Sequence, residues 1–122
     1  MLIEYFKLAA QITIAISIYN VWFLLFNKST IYRGIDAKNM KDEFISYGLK
    51  GPFVWSIGFL KVTLATMLVV GIFYDSLIFP AAVGMAVLML GAILMHLKVK
   101  DQPLKSLPAT IFLILSLSIA FL

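Results

Sequence analysis

The chain alternates long apolar segments with shorter polar connections. Four segments reach or approach the roughly 20 apolar residues that a membrane-spanning helix needs. They lie at residues 8–26, 53–73, 77–97 and 107–122, and the fourth is at the lower limit for a span. This pattern predicts an all-α fold, a four-transmembrane-helix antiparallel bundle that forms one integral membrane domain over residues 1–122.

The connection between the first two segments carries a shorter amphipathic pattern. One helix face, at spacing i, i+4, i+7, would hold Met40, Phe44 and Tyr47. Asp36 can cap the start of such a helix, and Gly48 is a natural stop at its end. We therefore predict a short interfacial helix between helices 1 and 2, lying in the headgroup plane. A solvated loop with chance periodicity is the alternative.

Basic residues are concentrated in the first and third connections. Eight of the ten Lys and Arg residues lie there: Lys28, Arg33, Lys38, Lys41, Lys50, Lys98, Lys100 and Lys105. The turn between the second and third segments carries Asp75 instead. Under the positive-inside rule, a multi-pass protein of the cell membrane with this pattern has its basic loops in the cytoplasm and both termini outside.

Composition supports lipid as the solvent and narrows the chemistry. The chain is 62% hydrophobic and 13% charged, whereas soluble domains are about 45–50% apolar and about 25% charged. It has no cysteine and one histidine, which excludes thiol chemistry and a multi-histidine metal site within one chain. No phosphate loop, zinc motif or nucleophile–base pair is present. We therefore predict no catalytic residue, no metal and no nucleic-acid partner, and an autonomous enzyme is not expected.

Polar and small residues within the segments suggest how the helices pack. Thr13, Ser17 and Asn20 share one face of the first segment, and we expect this stripe to point into the bundle because lipid offers it no partner. Gln11 lies off the stripe, near the predicted outer surface. Ala82 and Ala86 in the third segment predict ordinary packing within the bundle. Aromatic residues typical of a membrane-interface belt are Trp22, Tyr32, Trp55 and Tyr74.

Lys61 is the most unusual residue of the second segment. It lies eight residues inside it, ~12 Å from the end at 1.5 Å per residue. A lysine at a helix centre costs about 2.5–3.5 kcal/mol on insertion scales. Asn20 lies ~9 Å deep in the first segment by the same rise, and His96 ends the third segment on the same side. We take Lys61, His96, Asn20 and Tyr47 as candidate ligand-binding residues. The alternatives are a snorkelling Lys61 without function and an interfacial His96 bonded to water.

Four short motifs follow one another along the chain. They are Tyr32-Arg33-Gly34, then Phe44 with Tyr47-Gly48-Leu49, then Gly58 with Lys61, then Gly91-Ala92 with His96, Lys98 and Asp101. Their order and spacing resemble the DoxX-like family of small four-helix membrane proteins, over essentially the whole chain. That family often has Pro directly after Tyr-Gly-Leu. Here Lys50-Gly51 intervenes before Pro52, so the turn into the second helix is expected to differ.

The resemblance implies the fold more firmly than the activity. Some relatives resemble the membrane subunit of a thiosulfate:quinone oxidoreductase, and an animal relative is an assembly chaperone for a receptor channel. We expect a small membrane subunit or module that binds a lipid- or quinone-like amphipathic ligand near the cytoplasmic side, with no other cofactor. The alternative is an assembly, chaperone or scaffold protein. The expected partners are membrane lipid and either a membrane protein or a second copy. A transporter is the least supported class, since no inverted repeat is visible.

Overall fold

The computed structural model describes residues 2–24, 26, 39–46, 48 and 53–122, without the side chains of residues 42, 43 and 46. Several predicted features lie outside the described residues: the Tyr32-Arg33-Gly34 motif, the Asp36 cap, the candidate site residue Tyr47 and the turn at Lys50-Gly51-Pro52.

The regular structure of the described residues consists of five α-helices with short helical extensions. They are α1, Leu2–Tyr19, continued by a π-helical turn at Asn20–Leu24; α2, Met40–Ser46; α3, Phe53–Val70; α4, Ile78–Lys98; and α5, Leu107–Phe121. Turns of 3-10 helix at Asp75–Leu77 and Pro103–Ser106 lead into α4 and α5. Four of these helices are long and apolar enough to cross a membrane. The predicted all-α four-helix bundle is confirmed.

The first span begins earlier than the hydropathy pattern predicted. With its π-helical turn, α1 covers 23 residues from Leu2 to Leu24, which is ~34 Å at 1.5 Å per residue against a hydrocarbon core of about 30 Å. Glu4 lies in its first turn, where the helix dipole favours an acidic side chain. The helix therefore continues past the apolar segment, because its first turn suits the polar headgroup region.

The four long helices form a closed ring around a packed apolar core. α1 packs against α3 and α5, and α4 packs against the same two helices. Each long helix contributes one fully buried large apolar side chain: Ile14, Leu68, Met85 and Ile119. On α4, Ala82 is fully buried and Ala86 is 6% exposed, which confirms that these small residues serve packing within the bundle. The centre of the bundle is thus filled by protein side chains.

The outside of the bundle is apolar as well. Large hydrophobic side chains are exposed on each long helix, including Ile16, Phe59, Val87 and Ile114. An apolar surface this extensive would not be stable in water. Together with the length of the four helices, it makes the chain an integral membrane protein.

Buried Gln11 joins α1 to the end of α3. Its Nε2 donates a hydrogen bond of 2.8 Å to the carbonyl of Leu68. In a regular α-helix the N–H of Ile72 would donate to the Leu68 carbonyl. Here it donates to the Val69 carbonyl, so the Leu68 carbonyl needs another donor. Gln11 lies off the predicted polar stripe and is only 3% exposed. Its long side chain reaches the neighbouring helix end and satisfies a carbonyl that lipid cannot.

The predicted polar stripe of α1 faces away from the bundle. Thr13 and Asn20 are exposed, and Ser17 is half-buried. The inner face of α1 instead carries Ile14 and Ile18, both buried. The expectation that the stripe points inward is therefore wrong. Apolar side chains fill the contacts with α3 and α5, and the 3.6-residue period then turns the stripe outward.

We predict that Gln11→Leu destabilises the bundle. The substitution replaces the carboxamide with an apolar side chain of similar size and leaves the Leu68 carbonyl without its donor, which costs about 1–3 kcal/mol for a buried polar group. Thermal unfolding in detergent measures the loss. Gln102→Leu, at an exposed position, is the matched control and should leave stability nearly unchanged. Equal stability of the two variants would contradict the role of Gln11.

Candidate functional site

The predicted site residues that the structure describes lie toward one end of the bundle, where α1 and α4 finish and α3 and α5 begin. We call this the basic end and define it by Trp22, Phe44, Lys61, His96 and Lys98. The helix α2 closes it, because Met40 and Phe44 both belong to the apolar core. Met40 and Phe44 thus share one apolar side of α2, as the amphipathic pattern predicts, and this side packs against the rest of the protein.

Trp22, Gly58 and Lys61 form the contact between α1 and α3 at this end. The indole of Trp22 lies so close to Gly58 that a Cβ there would be 2.7 Å from Trp22 Cε3. Lys61 follows Gly58 by three residues and so lies on the same face of α3. Its Nζ is 5.9 Å from the centroid of the Trp22 ring, within the range of a cation–π interaction. Glycine thus makes room for an aromatic ring that faces the lysine.

A cluster of aromatic rings connects Trp22 to α2 and to the start of α3. Trp22 meets Phe44 edge-on at 6.2 Å and Phe26 at 5.7 Å, and Phe26 stacks on Trp55 at 5.3 Å. Lys41 places its Nζ 5.3 Å from the Trp55 ring. Trp22 is only 8% exposed, so its assignment to the interface belt is wrong. It anchors helices instead, whereas Trp55 and Tyr74 are exposed.

His96 is held by Asp101, beyond the end of α4. His96 Nδ1 lies 2.8 Å from Asp101 Oδ2, and both side chains are buried. The backbone sets this geometry, because Asp101 N–H donates to the His96 carbonyl and Lys100 N–H donates to the Leu97 carbonyl. These two bonds form a Schellman motif. Lys100 takes the left-handed position with φ 58°, which a non-glycine residue adopts at some cost.

The pairing with Asp101 decides what His96 offers to other groups. A carboxylate only accepts hydrogen bonds, so Nδ1 of His96 carries the hydrogen in this bond. In the neutral ring, Nε2 is then an acceptor with a fixed orientation. A Schellman motif usually has an apolar contact between these two positions. Here the hydrogen-bonded pair of His96 and Asp101 takes the place of that apolar contact, and it fixes the orientation of the imidazole.

The predicted site residues differ in their depth along the bundle and in their exposure. Lys61 is half-buried in α3, and His96 is 6% exposed near the end of α4. Counted from the helix ends, Lys61 lies ~12 Å and His96 ~3 Å into the bundle, so the two share an end but not a depth. Asn20 is exposed on the outer side of α1, and Tyr47 lies outside the described residues. The ligand-binding role of all four stays a prediction.

Sequence reasoning did not pick out two residues that organise this end. Trp22 lies near the predicted end of the first span, which favours an interfacial position, although Gly58 three residues before Lys61 leaves room for a bulky neighbour. Asp101 stands out in the sequence only as part of a motif. Its spacing of five residues from His96, across the end of a helix, is that of a Schellman pair and was the available signal.

Comparison with models of protein families identifies a match. A model of the DoxX-like family matches residues 9–119. The chain belongs to the DoxX-like family. A search of curated proteins and one of solved structures found no match to this DoxX-like protein. Three residues of the motifs quoted above have a physical role in the structure, since Gly58 accommodates Trp22 and the pair His96–Asp101 lies at the end of α4.

We predict that Gly58→Ala destabilises this DoxX-like protein by about 1–3 kcal/mol, the usual cost of overpacking. The added methyl group would collide with the Trp22 ring, which is held by Phe44 and Phe26. Gly91→Ala is the matched control, because a Cβ there meets nothing within 4 Å and alanine favours the helix. Thermal unfolding in detergent should show a loss for Gly58→Ala and no loss for Gly91→Ala. The reverse order would contradict this packing.

Proposed function

We propose that this DoxX-like protein binds an amphipathic molecule, a lipid or a quinone-like compound, at the basic end of the bundle. The observation that carries the proposal is the half-buried Lys61, held beside Trp22 about 12 Å along α3. A charged group at such a depth is costly, and intramembrane ionisable residues usually serve a ligand or ion. An ammonium group provides three hydrogen-bond donors to an anionic headgroup or a carbonyl.

His96 adds a second recognition element at a shallower level. Its bond to Asp101 fixes the orientation of the imidazole, which would give the ligand a second polar contact. Lys61 would contact one polar group and His96 another, nearer the surface. This arrangement fits a molecule whose polar part extends along the bundle axis, and a lipid headgroup and a quinone ring both meet that description.

The apolar part of the ligand is expected to lie along the outside of the bundle. The centre is filled by Ile14, Leu68, Met85 and Ile119, each fully buried, so an alkyl tail inside would have to displace core side chains. The exposed apolar side chains near Lys61 on α3, Phe59 and Leu60, suit such a tail. Any redox chemistry would come from the ligand or from a partner protein.

Native mass spectrometry of protein extracted in a mild detergent tests this proposal. We expect the wild-type protein to carry an adduct whose mass identifies it as a lipid or a quinone, and Lys61→Met to lose most of it because the donor is gone. Lys100→Met removes the same charge at an exposed position of the same end and should keep the adduct.

Absence of an adduct from the wild-type protein, or equal adducts in both variants, would contradict ligand binding at Lys61. An assembly or scaffold role without a ligand would then be the better explanation, and crosslinking in native membranes followed by identification of partners would be the next measurement.

We also propose that the basic end faces the cytoplasm, as the positive-inside rule requires. The chain has no cysteine, so single cysteines report sidedness directly. In intact cells, a membrane-impermeant maleimide should label Ser76→Cys and leave Gln102→Cys unlabelled until the membrane is permeabilised. Both positions are exposed. Labelling in the opposite order would reverse the orientation.

A further inference from the structure

The short helix α2 contacts both parts of the proposed ligand site. Phe44 packs edge-on against Trp22, the ring that lies 5.9 Å from Lys61 Nζ. Just beyond the end of α2, Gly48 lies beside α4, where an added Cβ would be 3.5 Å from Lys98 Nζ. Lys98 belongs to the last turn of α4, as does the candidate ligand-binding histidine. One short helix therefore joins the surroundings of both recognition elements.

Only its contacts hold α2 in place. The four long helices are fixed because they cross the membrane, whereas α2 has seven residues, far fewer than the roughly 20 that a span needs. An isolated helix of this length is marginal in water. Of its described side chains, Met40 and Phe44 are buried, and Lys41 and Ile45 are exposed. Elements that bury few side chains open at the lowest free energy, so α2 is the described helix best suited to move.

We infer that α2 is a lid over the Lys61 site, which releases from the bundle to admit the ligand and then closes over its polar part. The inference rests on the proposed ligand-binding function and adds the regulation of that site. With α2 in place Trp22 is only 8% exposed, and the centre of the bundle is filled, so the polar part of a ligand needs an opening at the basic end. Release of Phe44 uncovers the ring beside the ammonium group. By linkage, a ligand that favours the closed lid is held more tightly by it.

A disulfide that locks the lid tests this inference. Met40 N–H donates to the Phe26 carbonyl over 2.8 Å, which places the two Cα atoms at most about 6.7 Å apart, within the range that a disulfide spans. The wild-type chain has no cysteine, so the Phe26→Cys/Met40→Cys variant can form this intramolecular bond alone. Comparing the oxidised and reduced forms of the same variant keeps its side chains constant.

The readout is acetylation of Lys61 by sulfosuccinimidyl acetate, a charged reagent that does not enter lipid, measured by mass spectrometry on protein in nanodiscs. We expect Lys61 to react several-fold more slowly in the oxidised form than in the reduced form. The exposed Lys100 is the internal control and should react equally in both. Equal rates at Lys61 in the two forms, or no reaction of Lys61 in the reduced form, would overturn the lid.

A second variant acts in the opposite direction and needs no disulfide. Phe44→Ala weakens the closed position of α2 and should raise the rate of Lys61 acetylation several-fold above that of the wild type. Ile45→Ala is the matched control, because this residue of the same helix is 54% exposed, and it should keep the wild-type rate. Equal rates in the two variants would contradict a lid held by Phe44.

Retention of the ligand separates the lid from ligand binding itself. After dilution into fresh detergent, the oxidised Phe26→Cys/Met40→Cys variant should lose its co-purified lipid or quinone several-fold more slowly than the reduced form. Equal loss in both forms would overturn the lid and leave the ligand site standing. Absence of any adduct would contradict the proposed function, whereas the acetylation rates would decide by themselves whether α2 opens.

Discussion

The structure depends on one constraint: lipid offers no hydrogen bond to a backbone polar group, so the partner has to come from protein. The α1–α3 contact meets that constraint along its length. Gln11 donates to the Leu68 carbonyl at one end. Tyr19 donates to Thr66, whose own hydrogen is used on the Val62 carbonyl. Lys61 faces the Trp22 ring at the other end. These contacts set the register of two antiparallel helices, because the apolar side chains in the rest of their contact would allow several registers.

The same contact ties the candidate site to the fold. Gly58 admits Trp22, Trp22 supports Lys61, and Phe44 of α2 packs on the edge of Trp22. The position of the ammonium group therefore depends on α2, a helix that does not span the membrane. On the neighbouring helix, His96 is fixed by the way α4 ends, because the backbone turn at Lys100 brings Asp101 back to the imidazole. In both cases a chain turn or a small residue, and not the candidate ligand-binding side chain itself, determines the geometry.

Much of the fold was predictable from the sequence, and the site was predictable only in part. The four spans, the short helix at Met40 and Phe44, and the family followed from hydropathy and motif order. The sequence could not show which side of α1 points into the bundle. Its polar stripe and its apolar side are both continuous along the helix, and only the contacts with α3 and α5 distinguish them. Gln11 illustrates the difficulty: it occupies the inner face because a carbonyl 57 residues further along the chain needs a donor.

The sequence by itself determined that lipid is the solvent, that the chain crosses it in four helices, and that basic charge gathers at one end. These properties depend on local composition, which acts before any two helices meet. Only the tertiary structure decided which polar residues are buried and which face outward. It also decided that Lys61 meets Trp22 and that Asp101 holds His96. Such pairings depend on helix rotation and register, and these are set by packing between segments far apart in the chain.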